Sequence, residues 1–172
     1  QRRDEDDTEA ELPDGPAIIA RCPGVPEPGP CHDALFVAAR RVPAGRAFVA
    51  GPAAAPTALW AMRSGAAVVH WTDSAAESEA VAATSRANNL SPPRSLVAPD
   101  CTALEPGQSD LALIHLPRGR SLQRHYLTTA AAMLTEGGKV IFVGARNEGV
   151  RSALADAKEI YGRAGIVARK GG

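Results

Sequence analysis

Residues 110–143 read Asp110-Leu-Ala-Leu-Ile114, then the segment Leu122–Leu134, then Glu136-Gly137-Gly138 and Lys139-Val-Ile-Phe-Val143. The two short runs are apolar without alternation, as expected of strands buried on both faces. Between them Leu127, Ala130, Ala131 and Leu134 fall on one helical stripe. Strand, helix and strand in that order make a βαβ unit, which joins parallel neighbours through a right-handed crossover.

Outward from this unit the alternation repeats. Asp33–Arg41 reads as a short helix carrying Leu35, Phe36 and Ala39, with Val42 following. Arg46-Ala-Phe-Val-Ala50 reads as a buried strand ended by Gly51-Pro52. Thr57 is the expected N-cap of a helix over Ala58–Met62, closed by Ser64-Gly65. Ala66–Trp71 reads as a strand, and Ser74 as the cap of a helix over Ala75–Asn88 with Glu77 in its first turn. Ser95–Ala98 is a short strand after the helix-breaking Pro92-Pro93. Val150–Tyr161 reads as a helix and Gly165–Ala168 as a sixth strand. The expected fold is α/β: a Rossmann-like, doubly wound, mainly parallel sheet in three α/β/α layers.

Composition sets the limits. The chain has 172 residues, 45% of them hydrophobic, which suits one domain with a core and excludes a fully disordered chain. Its apolar runs are far shorter than the roughly 20 residues that cross a bilayer, so no membrane partner is expected. Net charge is zero, yet residues 1–14 hold seven acids against Arg2 and Arg3, a balance of −5, which leaves +5 for the rest. That charge run, followed by the Pro/Gly-rich stretch Pro23–Pro30, reads as a solvated leader over 1–29, with the domain over 30–172. The chain lacks an initiator Met, and a fragment of a longer protein is expected. Cys22, Cys31 and Cys101 are odd in number and irregular in spacing, which suits buried thiols in a reducing cytoplasm. Cys31-His32 invites a metal, but adjacent residues seldom ligate one ion and no C-x-x-C is present, so no metal site is expected.

In doubly wound sheets ligands sit beyond the carboxyl ends of the strands. After the first strand stands Gly51-Pro52-Ala53-Ala54-Ala55-Pro56, where Ala53 and Ala55 occupy the places of the later glycines of a G-x-G-x-G cradle. Asp73 after the second strand suits the two hydroxyls of a ribose, or else an exposed turn. Asp100 after the third suits an adenine amine, or an ordinary turn. After the fourth comes His115-Leu116-Pro117-Arg118-Gly119-Arg120. His115 could act as a general base, but no partner is placed beside it by spacing, which favours a structural role. Arg118, Arg120, Arg124, Arg146 and Arg151 flank neighbouring strand ends and could form a basic lip for nucleic-acid phosphates, or lie scattered in solvent.

Three stretches carry a resemblance: Pro30-Cys31-His32-Asp33-Ala34-Leu35, Leu113-Ile114-His115-Leu116-Pro117-Arg118-Gly119-Arg120, and Gly137-Gly138-Lys139-Val140-Ile141-Phe142-Val143-Gly144 continuing into Asn147-Glu148-Gly149-Val150-Arg151-Ser152-Ala153. Together, over roughly residues 30–170, they resemble the class I S-adenosylmethionine-dependent methyltransferases. Within that class they are most similar to the N-terminal domain of the tandem-domain 16S rRNA guanine-N2 methyltransferases. The resemblance aligns Gly51, Asp73 and Asp100 with cofactor-binding positions. It also aligns His115, Leu116 and Pro117 with the Asn-Pro-Pro motif that holds an exocyclic amine. Val49 stands where such enzymes carry an acid, and the amide, the first proline and the aromatic of the motif are missing.

The resemblance therefore implies a degenerate first domain. Its parent would use S-adenosylmethionine on rRNA, while this segment would bind no cofactor itself, support a catalytic domain in the same chain and help engage RNA. Two other functions are consistent with the residues: an active small methyltransferase with an atypical cofactor loop, and a ligand-free interaction module.

Overall fold

The computed structural model describes residues 7–27, 31–40, 42, 44–145 and 149–167. Five parallel strands form the central sheet: β3 (Arg46–Ala50), β4 (Ala67–Thr72), β5 (Arg94–Val97), β6 (Ser109–His115) and β7 (Leu134–Val143). Their order is β5-β4-β3-β6-β7. The chain winds outward from β3 to β5, then returns to the other side of β3 and winds the opposite way. The direction reverses between β3 and β6, and a crevice for ligands is expected at that point.

The strands are apolar throughout because both faces are covered. On β3, Ala47 and Val49 join one core with Leu111 and Leu113, under helices α1 (Cys31–Ala39), α2 (Ala55–Arg63) and α3 (Ala75–Ala87). Phe48 and Ala50 join the opposite core with Ala112 and Ile114, under α4 (Arg120–Met133) and α5 (Val150–Tyr161). This is the three-layer Rossmann-like architecture expected from the βαβ rhythm.

Several expectations need correction. Helix α1 begins at Cys31, and Arg41 lies outside the described residues. Helix α2 begins at Ala55 with Pro56 in its first turn, where proline's missing N–H costs nothing. Thr57 is therefore inside the helix and does not cap it. The helix expected to reach Leu134 ends at Met133. Residues around Gly137-Gly138 interrupt β7 as a register shift opposite Ser109 and Leu111 rather than preceding the strand. Residues 163–167 carry no strand, and Ala168 lies outside the described residues.

The largest correction falls in the segment read as a solvated leader. Strands β1 (Thr8–Leu12) and β2 (Gly15–Ile19) form an antiparallel hairpin across a Pro13-Asp14 turn. Leu12, Ala17 and Ile19 are buried in the core beneath α3. The Asn88 side chain accepts from Ile18 N–H (3.1 Å) and donates to Ile18 C=O (2.6 Å), and Thr84 Oγ1 accepts from Ala20 N–H (3.0 Å). The acids Glu9 and Glu11 stay exposed on the outer face.

Candidate functional site at the carboxyl end of the sheet

Parallel register pairs Ala50 with Ile114, so Gly51 lies beside His115 at the point where the winding reverses. Contact between them is direct. Gly51 has φ +108°, and a Cβ there would lie 1.9 Å from the His115 carbonyl oxygen. Only a residue without a side chain fits.

Two residues on, Ala53 takes a left-handed φ of +54°, a conformation an alanine holds only when its surroundings enforce it. Here two side chains do so. Ala53 N–H donates to Glu77 Oε1 of α3 at 2.8 Å, and Ala53 C=O accepts from His32 Nε2 of α1 at 2.8 Å. The His32 ring stacks on the His115 ring with centroids 3.9 Å apart and planes at 27°. His115 Nε2 in turn shares a 2.7 Å hydrogen bond with Thr57 Oγ1 on α2. All four side chains are buried.

Burial governs their charges. It holds the His115 imidazole well below the usual histidine range, and the His32 ring pushes it further the same way. Burial also raises the Glu77 carboxyl, while the N–H groups of Ala53 and Ala54 and the distant charge of Asp73 act with smaller weight. The result is a buried cluster of two stacked imidazoles, a hydroxyl and a carboxyl group at the point where the winding reverses. Among the described residues, no group of three or more His, Cys, Asp or Glu side chains could hold a metal ion.

The other expected site residues lie around this cluster. Leu116 is buried and its N–H donates to Val143 C=O at 2.9 Å; Pro117 C=O accepts from Gln123 Nε2 at 2.9 Å. The His115-Leu116-Pro117 stretch is thus buried and hydrogen-bonded at the carboxyl end of β6. Asp73 is exposed just past β4. Asp100, also exposed, spends one carboxylate oxygen on its own turn, where Oδ1 accepts from Thr102 N–H (3.0 Å) and Oγ1–H (2.6 Å).

The basic lip is assembled only in part. Arg124 makes a two-pronged pair with Glu159 at 2.7 and 2.9 Å and a further bond to Asp156 at 3.0 Å. Arg120 reaches Asp156 at 3.3 Å. These arginines bind α4 to α5, and hydrogen bonding from Arg120 holds the Asp156 carboxyl below its usual range. Arg118 and Arg151 are exposed, and Arg146 lies outside the described residues.

Three members of the cluster had other expected roles. Thr57 and Glu77 looked like helix-start residues and His32 like half of an adjacent metal pair. Their convergence on residues 51–57 has no signature in spacing.

Sheet order, crossovers and the reversal between β3 and β6 define a class I methyltransferase-like, Rossmann-type domain. The chain belongs to a family: the RLMG N-terminal domain model matches residues 57–166. Among solved structures it is similar to the 16S rRNA N2 guanine methyltransferase (RsmC) of T. thermophilus, solved with AdoMet and guanosine. That likeness has a TM-score of 0.70 and 25% identity over 96% of this chain and 42% of that one. This chain therefore spans less than half the length of that relative. It is also similar in fold to ribosomal protein L11 methylase of Lactobacillus delbrueckii subsp. bulgaricus, with a TM-score of 0.63 and 19% identity over 79% of this chain and 72% of that one. TrmN of Thermus thermophilus shares the fold too, with a TM-score of 0.58 and 23% identity over 70% of this chain and 39% of that one. A search of curated proteins finds no match. Among the described residues, no helix is long and apolar enough to cross a membrane.

Proposed function

We propose that this chain is the non-catalytic N-terminal domain of an rRNA guanine-N2 methyltransferase. Family membership and the likeness to RsmC support the parent's identity. Its chemistry would be transfer of a methyl group from S-adenosylmethionine to an exocyclic guanine amine, carried out by a second, catalytic domain of the same protein. This domain would contribute packing surface to that second domain and help to engage rRNA on the face that carries Arg118 and Arg151.

One observation carries the non-catalytic role: the Ala53 N–H that would meet a ligand instead meets the protein's own Glu77 carboxylate. Around it, Gly51 lies against His115, and the buried side chains of His32, Thr57 and His115 pack together. These residues do not fit S-adenosylmethionine, and the buried His115-Leu116-Pro117 offers no amide to orient an amine. Asp73 and Asp100 stand outside as vestiges of a cofactor site.

The test is calorimetry of this chain with S-adenosylmethionine, followed by filter binding to 16S rRNA. No binding heat is expected up to the millimolar end of ordinary substrate affinities. Saturable micromolar binding would make it an active or cofactor-retaining domain, and methyl transfer to 16S rRNA by this chain would make it an active enzyme. In filter binding, Arg118→Ala/Arg151→Ala is expected to lower affinity and flatten the salt dependence. Unchanged affinity and slope would remove the RNA role.

A further inference from the structure

At the amino end of the sheet, opposite the buried cluster, the hairpin turn and the carboxyl ends of α1 and α2 surround a cavity of about 390 Å³. Small side chains leave the room. Ala39, Ala47 and Ala61 stop at Cβ, and with Leu111 they are at most 2% exposed. Trp60 forms a wall and is braced by the Phe36 ring, with centroids 5.5 Å apart. Two arginines fasten the hairpin to the helix ends. Arg40 donates to Pro13 C=O at 3.1 Å; Arg63 donates to Pro16 C=O at 2.9 Å and lies 3.8 Å from Asp14.

The lining decides what can enter. A buried water needs two to four polar partners. Here most polar groups are spent. Ser64 Oγ–H donates to Trp60 C=O at 2.9 Å, and the carbonyls of Ala39, Trp60, Ala61 and Met62 accept from the N–H groups of Val42, Ser64, Ala66 and Gly65. Apolar walls of this size suit an apolar body, and an indole wall suits a flat ring. Charge at the mouth selects the head group. Asp14 is paired with Arg63. Arg40 is exposed, spends one of its five donors on a carbonyl, and has no carboxylate partner among the described residues. A cation would compete with Arg63 for Asp14, whereas a carboxylate pairs with Arg40 and displaces nothing.

We propose that this cavity is a binding site for a small aromatic carboxylate, with the ring among Ala44, Ala47 and Trp60 and the carboxylate on the Arg40 guanidinium. The site is independent of the function proposed for the domain, because it shares no residue with the cluster at the carboxyl end.

The experiment is calorimetric titration of the chain with 2-naphthoate and with the neutral 2-naphthalenemethanol. Saturable binding of 2-naphthoate is expected with a Kd of about 1 mM or tighter, the strength ordinary for a ligand of that size. Arg40→Gln should weaken 2-naphthoate about tenfold and leave the alcohol unchanged, since only the carboxylate uses the guanidinium. Ala44→Leu, which fills the cavity, should abolish binding of both probes. If Ala44→Leu does not fold, Ala66→Leu supplies the same block from the other wall. Absence of saturation by the wild type at about ten times the expected Kd would overturn the site. Binding that survives the filled cavity would place the ligand elsewhere and overturn it equally. Equal losses of both probes in Arg40→Gln, or none, would overturn the choice of a carboxylate.

Discussion

The two ends of the central sheet differ in kind. At the carboxyl end, where this fold ordinarily holds its ligand, the buried side chains His32, Thr57, Glu77 and His115 pack around Gly51 and Ala53. At the amino end, a cavity of about 390 Å³ lies between the hairpin turn, the carboxyl ends of α1 and α2 and the first residues of β3, lined by Asp14, Arg40, Ala44, Trp60, Ser64 and Leu111 among others. The open space at the amino end lies on the side the fold does not ordinarily use for chemistry. Strand order creates the place for a site; the side chains that converge there decide whether it stays open.

Three substitutions or conditions break or sharpen this contrast. The largest effect belongs to Gly51→Ala. The new methyl would overlap the His115 backbone carbonyl and hold a positive φ that alanine disfavours. Overpacking and backbone strain together predict a loss of about 3–5 kcal/mol, read as a fall in the urea midpoint or as loss of soluble protein. A soluble variant melting within a degree of the wild type would show the carboxyl end to be looser than described.

Acid is expected to come next. His70 on β4 is fully buried; Nδ1 lies 3.2 Å from Ser95 Oγ, and Nε2 has no hydrogen-bond partner. Burial lowers its pKa from the ordinary 6.5 to about 4. Between those values the unfolded chain binds more protons than the folded one, so stability rises with pH and is lost on acidification through that window. At about 1.36 kcal/mol per unit, His70 alone accounts for roughly 3 kcal/mol between pH 7 and pH 4. His115 acts in the same direction, and Glu77, whose carboxyl is raised, in the opposite one. Urea unfolding across this range should show the loss, and His70→Gln should flatten it. A slope that the substitution leaves unchanged would assign the acid sensitivity elsewhere.

The smallest effect is expected at the open end. Ala44→Val adds two methyl groups toward the amino-end cavity and should change stability by no more than about 0.5 kcal/mol. The same urea titration checks it. A loss comparable to that of Gly51→Ala would erase the distinction between the two ends.

Much of the architecture was legible along the chain. The run Arg46–Ala50, the cap at Ser74 and the helix Val150–Tyr161 match β3, the start of α3 and α5. Each rests on a local signal: unbroken apolar residues, a short polar side chain at a helix start, and helical spacing. The hairpin was legible too, through Ala10 and Leu12, Ala17 and Ile19, and the Pro13-Asp14-Gly15 turn, but the acidic charge run outweighed that alternation. Glu9 and Glu11 share β1 with Leu12 because a strand can keep one face in water and bury the other.

The candidate site divides differently. Loss of the glycine cradle was visible in Ala53 and Ala55, and Gly51 stood out at once. The buried cluster was not visible, because residues 32, 57, 77 and 115 meet only after three helices and two strands have packed. The same holds for Arg120 and Arg124, whose apparent availability ended when α5 brought Asp156 and Glu159 against α4. Apolar runs and helix caps are interactions between near neighbours, so one-dimensional order contains them and with them the class of fold. Filling a crevice, pairing a charge and turning an Ala N–H toward a buried carboxylate are contacts between distant parts of the chain. They exist only once the sheet has formed and the helices have covered it.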